Sequence, residues 1–403
     1  MRVAMIAYAF YEGNARIQQY ATSLAKRGDA VDVIALRREG DPRHLVVDGV
    51  NVYGIQSRIV NEKTRLTYLY RVMRFLIHSA WVLSSKHLSQ PYQLVHVHSV
   101  PDFLVFAALL PKLMGASVIL DIHDILPEFY ASKFGADRDS LLFRLLLLVE
   151  KCSVAFADHV IIANHLWYER LIARSVTPEK CIAICNYPNP EIFRARPKER
   201  ADGKFIITYP GTLNWHQGLD VAVKAFAKVV EEIPEAEYRI FGEGPSKPEL
   251  IKLTNQLGLS GRVIFNEMVP IEQIAREMAN SDLAVVPKRA SSMFGNEAAS
   301  TKILEFMAVG VPVIVSRTRI DTYYHSDLTV KFFESENVSD LARCILELKR
   351  DPELRKRLVA NAAKYVEENN WETRKHQYLG LVDSLTSAKQ KGETSSAHSA
   401  GSA

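Results

Sequence analysis

Short apolar runs alternate with longer stretches of helical periodicity along almost the whole chain. Residues 2–7, 31–36, 94–98, 117–122, 159–162 and 181–184 are apolar runs of strand length. Between them lie helical patterns at 15–27, where Ile17, Tyr20, Ala21 and Leu24 share a face, at 68–88, between 98 and 117, and at 141–156. Apolar strands bounded by helices predict parallel βαβ units. The rhythm breaks at 186–203, a segment with three prolines and many charges, which reads as a linker. It then restarts: strands at 205–209, 237–241, 262–265, 283–286 and 313–315, helices at 219–232, 247–257, 271–279, 301–308, 338–348 and 353–369.

The break and restart predict two Rossmann-like domains, 1–190 and 200–370. A C-terminal helix at about 371–386 is expected to pack back on the first, and residues 389–403, small and polar, are read as a disordered tail. In such sheets ligands bind beyond the carboxyl ends of the strands, so chemistry is expected in the loops after them and between the domains.

Composition narrows the class. A chain of 403 residues, 48% hydrophobic and 24% charged, excludes a disordered or collagenous protein. Four cysteines give no disulfide framework, and the lone Cys181-x3-Cys185 lacks a second ligand pair for zinc. The longest apolar runs, 103–110 and 145–149, fall well short of the ~20 residues that span a bilayer. The first residues read as a buried strand and not a leader, so a cytoplasmic protein is expected. The net charge of +4 hides an asymmetry: 25 basic against 19 acidic residues in positions 1–200, and 25 against 27 beyond. Much of the excess lies in Arg58, Lys63, Arg65, Arg71, Arg74 and Lys86, interleaved with Tyr68, Phe75 and Trp81. Such a patch suits an anionic surface; nucleic acid is not called for.

Several loops carry candidate chemistry. Gly13, Asn14 and Arg16 open the first helix; they read either as a plain turn or as an anion-binding N-terminus. No G-x-G-x-x-G is present and no acidic residue closes the second strand as a ribose ligand would, which disfavours a nicotinamide enzyme. Gly211 and Gly218, then Gly242 and Gly244, sit at successive strand ends, a pattern suited to holding a nucleotide with backbone amides. The sharpest constellation is Glu297-x7-Glu305, with Ser300 or Thr301 capping the helix between them. Glu297 is expected in a loop and Glu305 about a turn inside the helix, up to ~12 Å away. That span suits one carboxylate at a sugar, the other at a ribose, and a diphosphate between. Asp137-Arg138-Asp139 reads as helix capping and not as a metal-binding pair, and His96 and His98 are read as facing opposite sides of their strand.

Taken together, the Gly13 loop, DIHDILPE (121–128), ADHVIIAN (157–164), NYPNPEIF (186–193), PGTLNWHQGLD (210–220), FGEGP (241–245) and Glu297-x7-Glu305 before AVGVPVIVS resemble the family 4 glycosyltransferases of GT-B fold. The stretch at 121–128 is most similar to the branch that builds bacterial surface polysaccharides. The resemblance implies an α/β GT-B fold, two Rossmann-like domains facing each other across a cleft. It implies a retaining, metal-independent transfer from a nucleotide sugar, UDP-linked in this reading, to a lipid-linked or polysaccharide acceptor. It places Glu297 at the donor hexose, Glu305 at the ribose, Gly242–Gly244 and Met268–Val269 at the base, and His123, with Asp124, near the reacting sugar and acceptor. The family often has an Arg and a Lys where this chain has Thr212 and Gln217, so the diphosphate charge is expected from Lys288, Arg289 or Lys302, with Arg16 next. A lipid-linked acceptor also implies attachment at the inner face of the cytoplasmic membrane. A nucleotide-sugar epimerase of the same fold, or a non-catalytic relative, is the alternative.

Overall fold

The computed structural model describes residues 1–58, 65–134 and 140–400. Two compact units emerge, Met1–Asn186 with Lys375–Ala403, and Tyr187–Arg374. The triplet Asp137-Arg138-Asp139 and Lys63 lie outside the described residues.

In the first unit, strands β1 (Arg2–Phe10), β2 (Ala30–Arg37), β3 (His44–Val47), β4 (Val50–Ser57), β5 (Leu94–His98), β6 (Ser117–Ile122), β7 (His159–Ile162) and β8 (Cys181–Ala183) form one sheet. Its order is β3-β4-β2-β1-β5-β6-β7-β8. Every pairing is parallel except β3 with β4. That hairpin turns at Asp48-Gly49, both with positive φ (49° and 79°), as a two-residue hairpin loop requires. The connecting helices are α1 (Ala15–Lys26), α2 (Arg65–Ser89), α3 (Leu109–Leu113), α4 (Leu126–Phe134), α5 (Leu141–Phe156) and α6 (His165–Ile172). Strands β5 and β6 are buried at every position, the polar His96, His98, Ser117 and Asp121 included.

The second unit is a six-stranded parallel sheet built from β9 (Phe205–Pro210), β10 (Ala236–Phe241), β11 (Val263–Asn266), β12 (Leu283–Val286), β13 (Val313–Ser316) and β14 (Lys331–Phe333). Helices α7 (Leu219–Val229), α8 (Lys247–Gln256), α9 (Ile271–Ala279), α10 (Met293–Glu297), α11 (Thr301–Ala308), α12 (Arg319–Tyr324), α13 (Val338–Arg350) and α14 (Pro352–Glu368) connect and cover it. Strand alternation sends Leu283 and Val285 into the core beside α7 and α13, and Ala284 and Val286 into the one beside α9 and α11. The order β11-β10-β9-β12-β13-β14 reverses direction between β9 and β12. Loops leaving that switch point are where an open α/β sheet leaves room for a ligand.

Two readings of the sequence need correction. Within 186–203, Phe193 is 4% exposed and packs into the second core, so the segment is anchored where few apolar positions suggested a linker. The last helix, α15 (Trp371–Ala400), has bounds that extend beyond the 371–386 expected for it. Tyr378 and Val382 of α15 are fully buried in the first unit, and Tyr378 lies 4.1 Å from the Tyr20 ring of α1.

Buried histidines make the fold acid-sensitive. Burial lowers His98, His216 and His325 to about 4, from an ordinary ~6.5. Below pH 6.5 the unfolded chain takes up protons that these folded sites refuse, so stability falls as pH drops toward 4. Asp102, raised by burial to about 7, opposes with one proton. Urea unfolding at stepped pH should show the loss, and His325→Gln should flatten it by about 1.4 kcal/mol per pH unit. An unchanged slope in that variant contradicts the assignment.

Candidate functional site

The glycines after β9 and β10 hold two loops against each other. Gly211 N–H donates to Phe241 O (2.8 Å), Leu213 N–H to Glu243 O (2.9 Å) and Ser246 N–H to Leu213 O (2.9 Å). A Cβ on Gly242 would overlap the Gly211 carbonyl, and one on Gly244 the Leu213 backbone. Gly242 also takes φ 154°, open to glycine alone. A Cβ on Gly211 would collide with the end of the Lys302 side chain, which lies across it. These glycines therefore bring the loop after β9 under α11. Thr212 on that loop is exposed, whereas Gln217 is tied down, its Oε1 accepting from Tyr209 O–H at 3.1 Å. Met268 is 74% exposed and Val269 half-buried on the loop after β11.

Across the switch point lies the segment after β12. Glu297 closes the short helix α10 and does not stand in a loop as expected; Ser292 caps that helix, its Oγ accepting from Gly295 N–H. Glu297 is 7% exposed, 3.6 Å from the Arg319 guanidinium. Helix α11 follows, with Ser300 at its N-cap but no side-chain bond to the helix amides. Among the described residues the buried Ser300 hydroxyl has no hydrogen-bond partner, and the Ile303 N–H reaches only the Ser300 carbonyl at 3.4 Å, so this turn has donors left for something else. Lys302 and Glu305 sit in the first turns of α11. Burial lowers the Lys302 pKa, with Glu305 opposing, and raises that of Glu305, with Lys302 opposing. They form no ion pair among the described residues; the Lys302 ammonium lies 5.3 Å from the Tyr209 ring centroid. A buried cation in this state is stabilised by an anion beside it.

The other two cations named from sequence are committed elsewhere. Lys288, 2% exposed, pairs with Asp321 at 2.9 Å and donates to Ala298 O at 2.8 Å. Arg289 pairs with Asp220 (2.5 Å) and Glu336 (2.6 Å) and donates to Trp215 O (3.1 Å). Both staple loops together. This corrects the expectation that either supplies a free positive charge, and Lys302 remains. His216, not singled out in the sequence, is half-buried between these elements, 5.1 Å from the Phe294 ring. Burial, with Lys302 and Lys288 adding, keeps it neutral, down at about 4.

In the first unit, parallel register sets His98 at the end of β5 beside Asp121 of β6. His98 Nδ1 is 3.1 Å from Asp121 Oδ2 and 3.2 Å from His123 Nε2, and His123 Nε2 is 3.1 Å from the same carboxylate oxygen. Arg16 grips both oxygens of Asp121 (2.7 and 2.8 Å) and donates to Ile184 O and Asn186 Oδ1. Burial alone would raise Asp121; Arg16 holds it well below the usual carboxylate range. His96 joins the group, its ring 4.2 Å from that of His98. The reading that put these two on opposite faces is wrong: residues two apart on a strand point the same way. His96, His98 and Asp121 are spaced as metal ligands are, but the Arg16 fork already occupies the carboxylate.

The acceptor-side expectations also change. Arg16, 7% exposed, is an internal partner of Asp121, and Asn14 caps α1 by accepting from Ile17 N–H at 3.2 Å. A Cβ on Gly13 would meet nothing within 4 Å, so packing does not require glycine there. His123 and Asp124 remain partly exposed at the end of β6, and burial raises the Asp124 pKa.

Comparison with known proteins now adds to this geometry. Residues 13–187 match the family model described as "Glycosyl transferase 4-like domain", and residues 191–365 match "Glycosyl transferases group 1". The chain belongs to the family 4 glycosyltransferases of GT-B fold. Among curated relatives of this glycosyltransferase, alpha-D-kanosaminyltransferase of Streptomyces kanamyceticus is 24% identical over 306 residues, 70% of this chain and 75% of its own. Among solved structures, sucrose-phosphate synthase from Thermosynechococcus elongatus superposes with TM-score 0.78 at 19% identity, over 96% of this chain and 100% of its own. The Anabaena protein HepE in complex with UDP-glucose superposes with TM-score 0.71 at 16% identity, over 95% and 100%.

The glycosyltransferase should separate fold-holding from ligand-holding cations. Arg16→Ala leaves the buried Asp121 carboxylate without its guanidinium and with only His98 and His123 beside it, and should cost about 3–5 kcal/mol in chemical unfolding. An Arg16→Ala protein as stable as the parent contradicts the internal role.

Proposed function

We propose that this glycosyltransferase moves a hexose from a nucleotide-diphosphate sugar, UDP-linked in our reading, to a lipid-linked or polysaccharide acceptor in bacterial surface or exopolysaccharide synthesis. The observation that carries it is the start of α11, where amides without a side-chain cap, a buried partnerless hydroxyl and the Lys302 ammonium converge at the sheet's switch point. A diphosphate satisfies all three. Glu305, one turn further in, is assigned the ribose hydroxyls, and Glu297 the hexose hydroxyls. Gly242–Gly244, Met268 and Val269 border the base. HepE, of like fold, is seen with UDP-glucose, which supports a nucleotide-sugar donor here.

In the reaction the bond between the anomeric carbon and the diphosphate oxygen breaks. The acceptor oxygen bonds to that carbon on the same face, and its proton passes to the departing phosphate oxygen. Charge grows on the diphosphate as the bond breaks, so Lys302 and the α11 amides contribute most at the transition state. His123, its Nε2 held by Asp121, is assigned to the reacting sugar, and Asp124 to the acceptor. No metal is assigned a step; retention at the anomeric carbon follows the family resemblance. The site of action is assigned to the inner face of the cytoplasmic membrane. Among the described residues no helix is long and apolar enough to cross a membrane, so the attachment proposed is peripheral.

A second reading has one observation behind it. Asp102 and Asp124 of the first unit are both raised by burial, with Asp124 adding a small further rise at Asp102, two carboxyls of the kind an epimerase would need. Mass spectrometry with a nucleotide sugar alone separates the two, because an epimerase acts without acceptor.

A thermal-shift screen across UDP-, GDP- and ADP-sugars should single out one base. With that donor, Glu305→Ala should weaken nucleotide binding by roughly 1.5–3 kcal/mol, the worth of a charge-assisted hydrogen bond. Glu297→Ala should lower kcat more than it raises KM. Full turnover in folded Glu297→Ala would falsify its placement at the hexose.

A further inference from the structure

Fourteen of the twenty-one exposed large apolar side chains among the described residues fall on α2, on residues 102–114 that include α3, and on α5. Helix α2 is apolar on both sides. Val72, Phe75 and Leu83 are buried against the first unit, while Tyr70, Ile77 and Trp81, each 67% exposed, line the opposite face at helical spacing. Helix α5 repeats this: Phe143 and Val154 point inward, and Leu145 and Leu148 outward. Between them Leu113 is 76% exposed.

Topology puts these pieces side by side. The chain steps from β4 past β1 to β5, then to β6 and β7, always in the same direction across the sheet. Right-handed crossovers then place α2, α3 and α5 on one face, opposite α1, whose step from β1 to β2 runs the other way. Direct packing agrees. Helix α2 lies against residues 102–113, and these lie against α5, with Phe106 and Phe156 rings 5.2 Å apart.

Among the described residues of these segments, the exposed charges are of one sign. Arg74, Arg144 and Lys151 are exposed, while the carboxylates of these segments, Asp102 and Glu150, are both 1% exposed. Two of the residues named from sequence drop out. Phe75 is fully buried, and Lys86 is held by Asp32 (3.7 Å) and the Tyr53 ring (3.6 Å).

We propose that the exposed face formed by α2, α3 and α5 is a membrane-docking surface, whose apolar side chains enter one leaflet while Arg74, Arg144 and Lys151 meet anionic headgroups. This rests on the membrane placement proposed above and assigns it to particular side chains. A second copy of the chain fits less well, because two like-charged faces would meet. An apolar face flanked by cations is what an interfacial helix offers an anionic leaflet.

Flotation of the full chain with vesicles of phosphatidylcholine, alone or mixed with phosphatidylglycerol, tests this. The parent should float with the mixed vesicles and be partly released by salt. Ile77→Glu with Leu145→Glu should lower the bound fraction on the order of tenfold, since each carboxylate resists burial in lipid. Leu328→Glu, at an exposed apolar residue of the second unit, should bind as the parent does. Thermal melts of each variant confirm folding. Equal binding by the double variant overturns the face while leaving membrane attachment intact. No binding by the parent to either vesicle overturns both. Self-association abolished by the double variant, without vesicle binding, assigns the face to a second copy instead.

Discussion

The close approach of two backbone loops sets the geometry of the second unit's site. Gly211 and Gly242 meet with no room for a side chain, and that contact lets Lys302 lie across the loop after β9. Lys302 consequently sits over Tyr209 without an ion-pair partner among the described residues, at the foot of a helix whose first turn has no side-chain cap. Each part is costly by itself: strained glycines, a desolvated ammonium, a hydroxyl with nothing to bond. An anion at that point relieves the last two together.

The two units handle buried charge in opposite ways. In the first, Asp121 is saturated by Arg16, His98 and His123, so its charge serves the fold and the orientation of His123. In the second, Lys288 and Arg289 are likewise consumed by Asp321, Asp220 and Glu336. Lys302 differs from both in lacking, among the described residues, a carboxylate within ion-pair distance. That difference is what the proposed diphosphate binding by Lys302 rests on.

Much of this was legible in the sequence. Strand runs at 94–98, 117–122 and 159–162 match β5, β6 and β7 residue for residue, because strands buried on both faces stay largely apolar, with only His96, His98, Ser117, Asp121 and His159 interrupting. The β3–β4 hairpin was missed although Asp48-Gly49 carries its turn signal. The Glu297–Glu305 spacing drew attention to this segment, but not to Ser300, which makes no side-chain cap bond at the α11 N-cap. Partner choice was beyond reach. Lys288 finds Asp321 thirty-three positions away, and Arg16 finds Asp121 a hundred and five away, through sheet register that no local pattern encodes. The two histidines two apart on β5 were misplaced by an error of strand geometry, not by any lack of signal.

Calorimetric titration of UDP into the parent and Lys302→Gln tests the central claim most directly. If Lys302 and the α11 amides hold the diphosphate, the variant should keep its melting temperature and bind UDP on the order of tenfold or more weakly. The loss should shrink at high salt. Unchanged affinity in a folded Lys302→Gln protein would contradict the account.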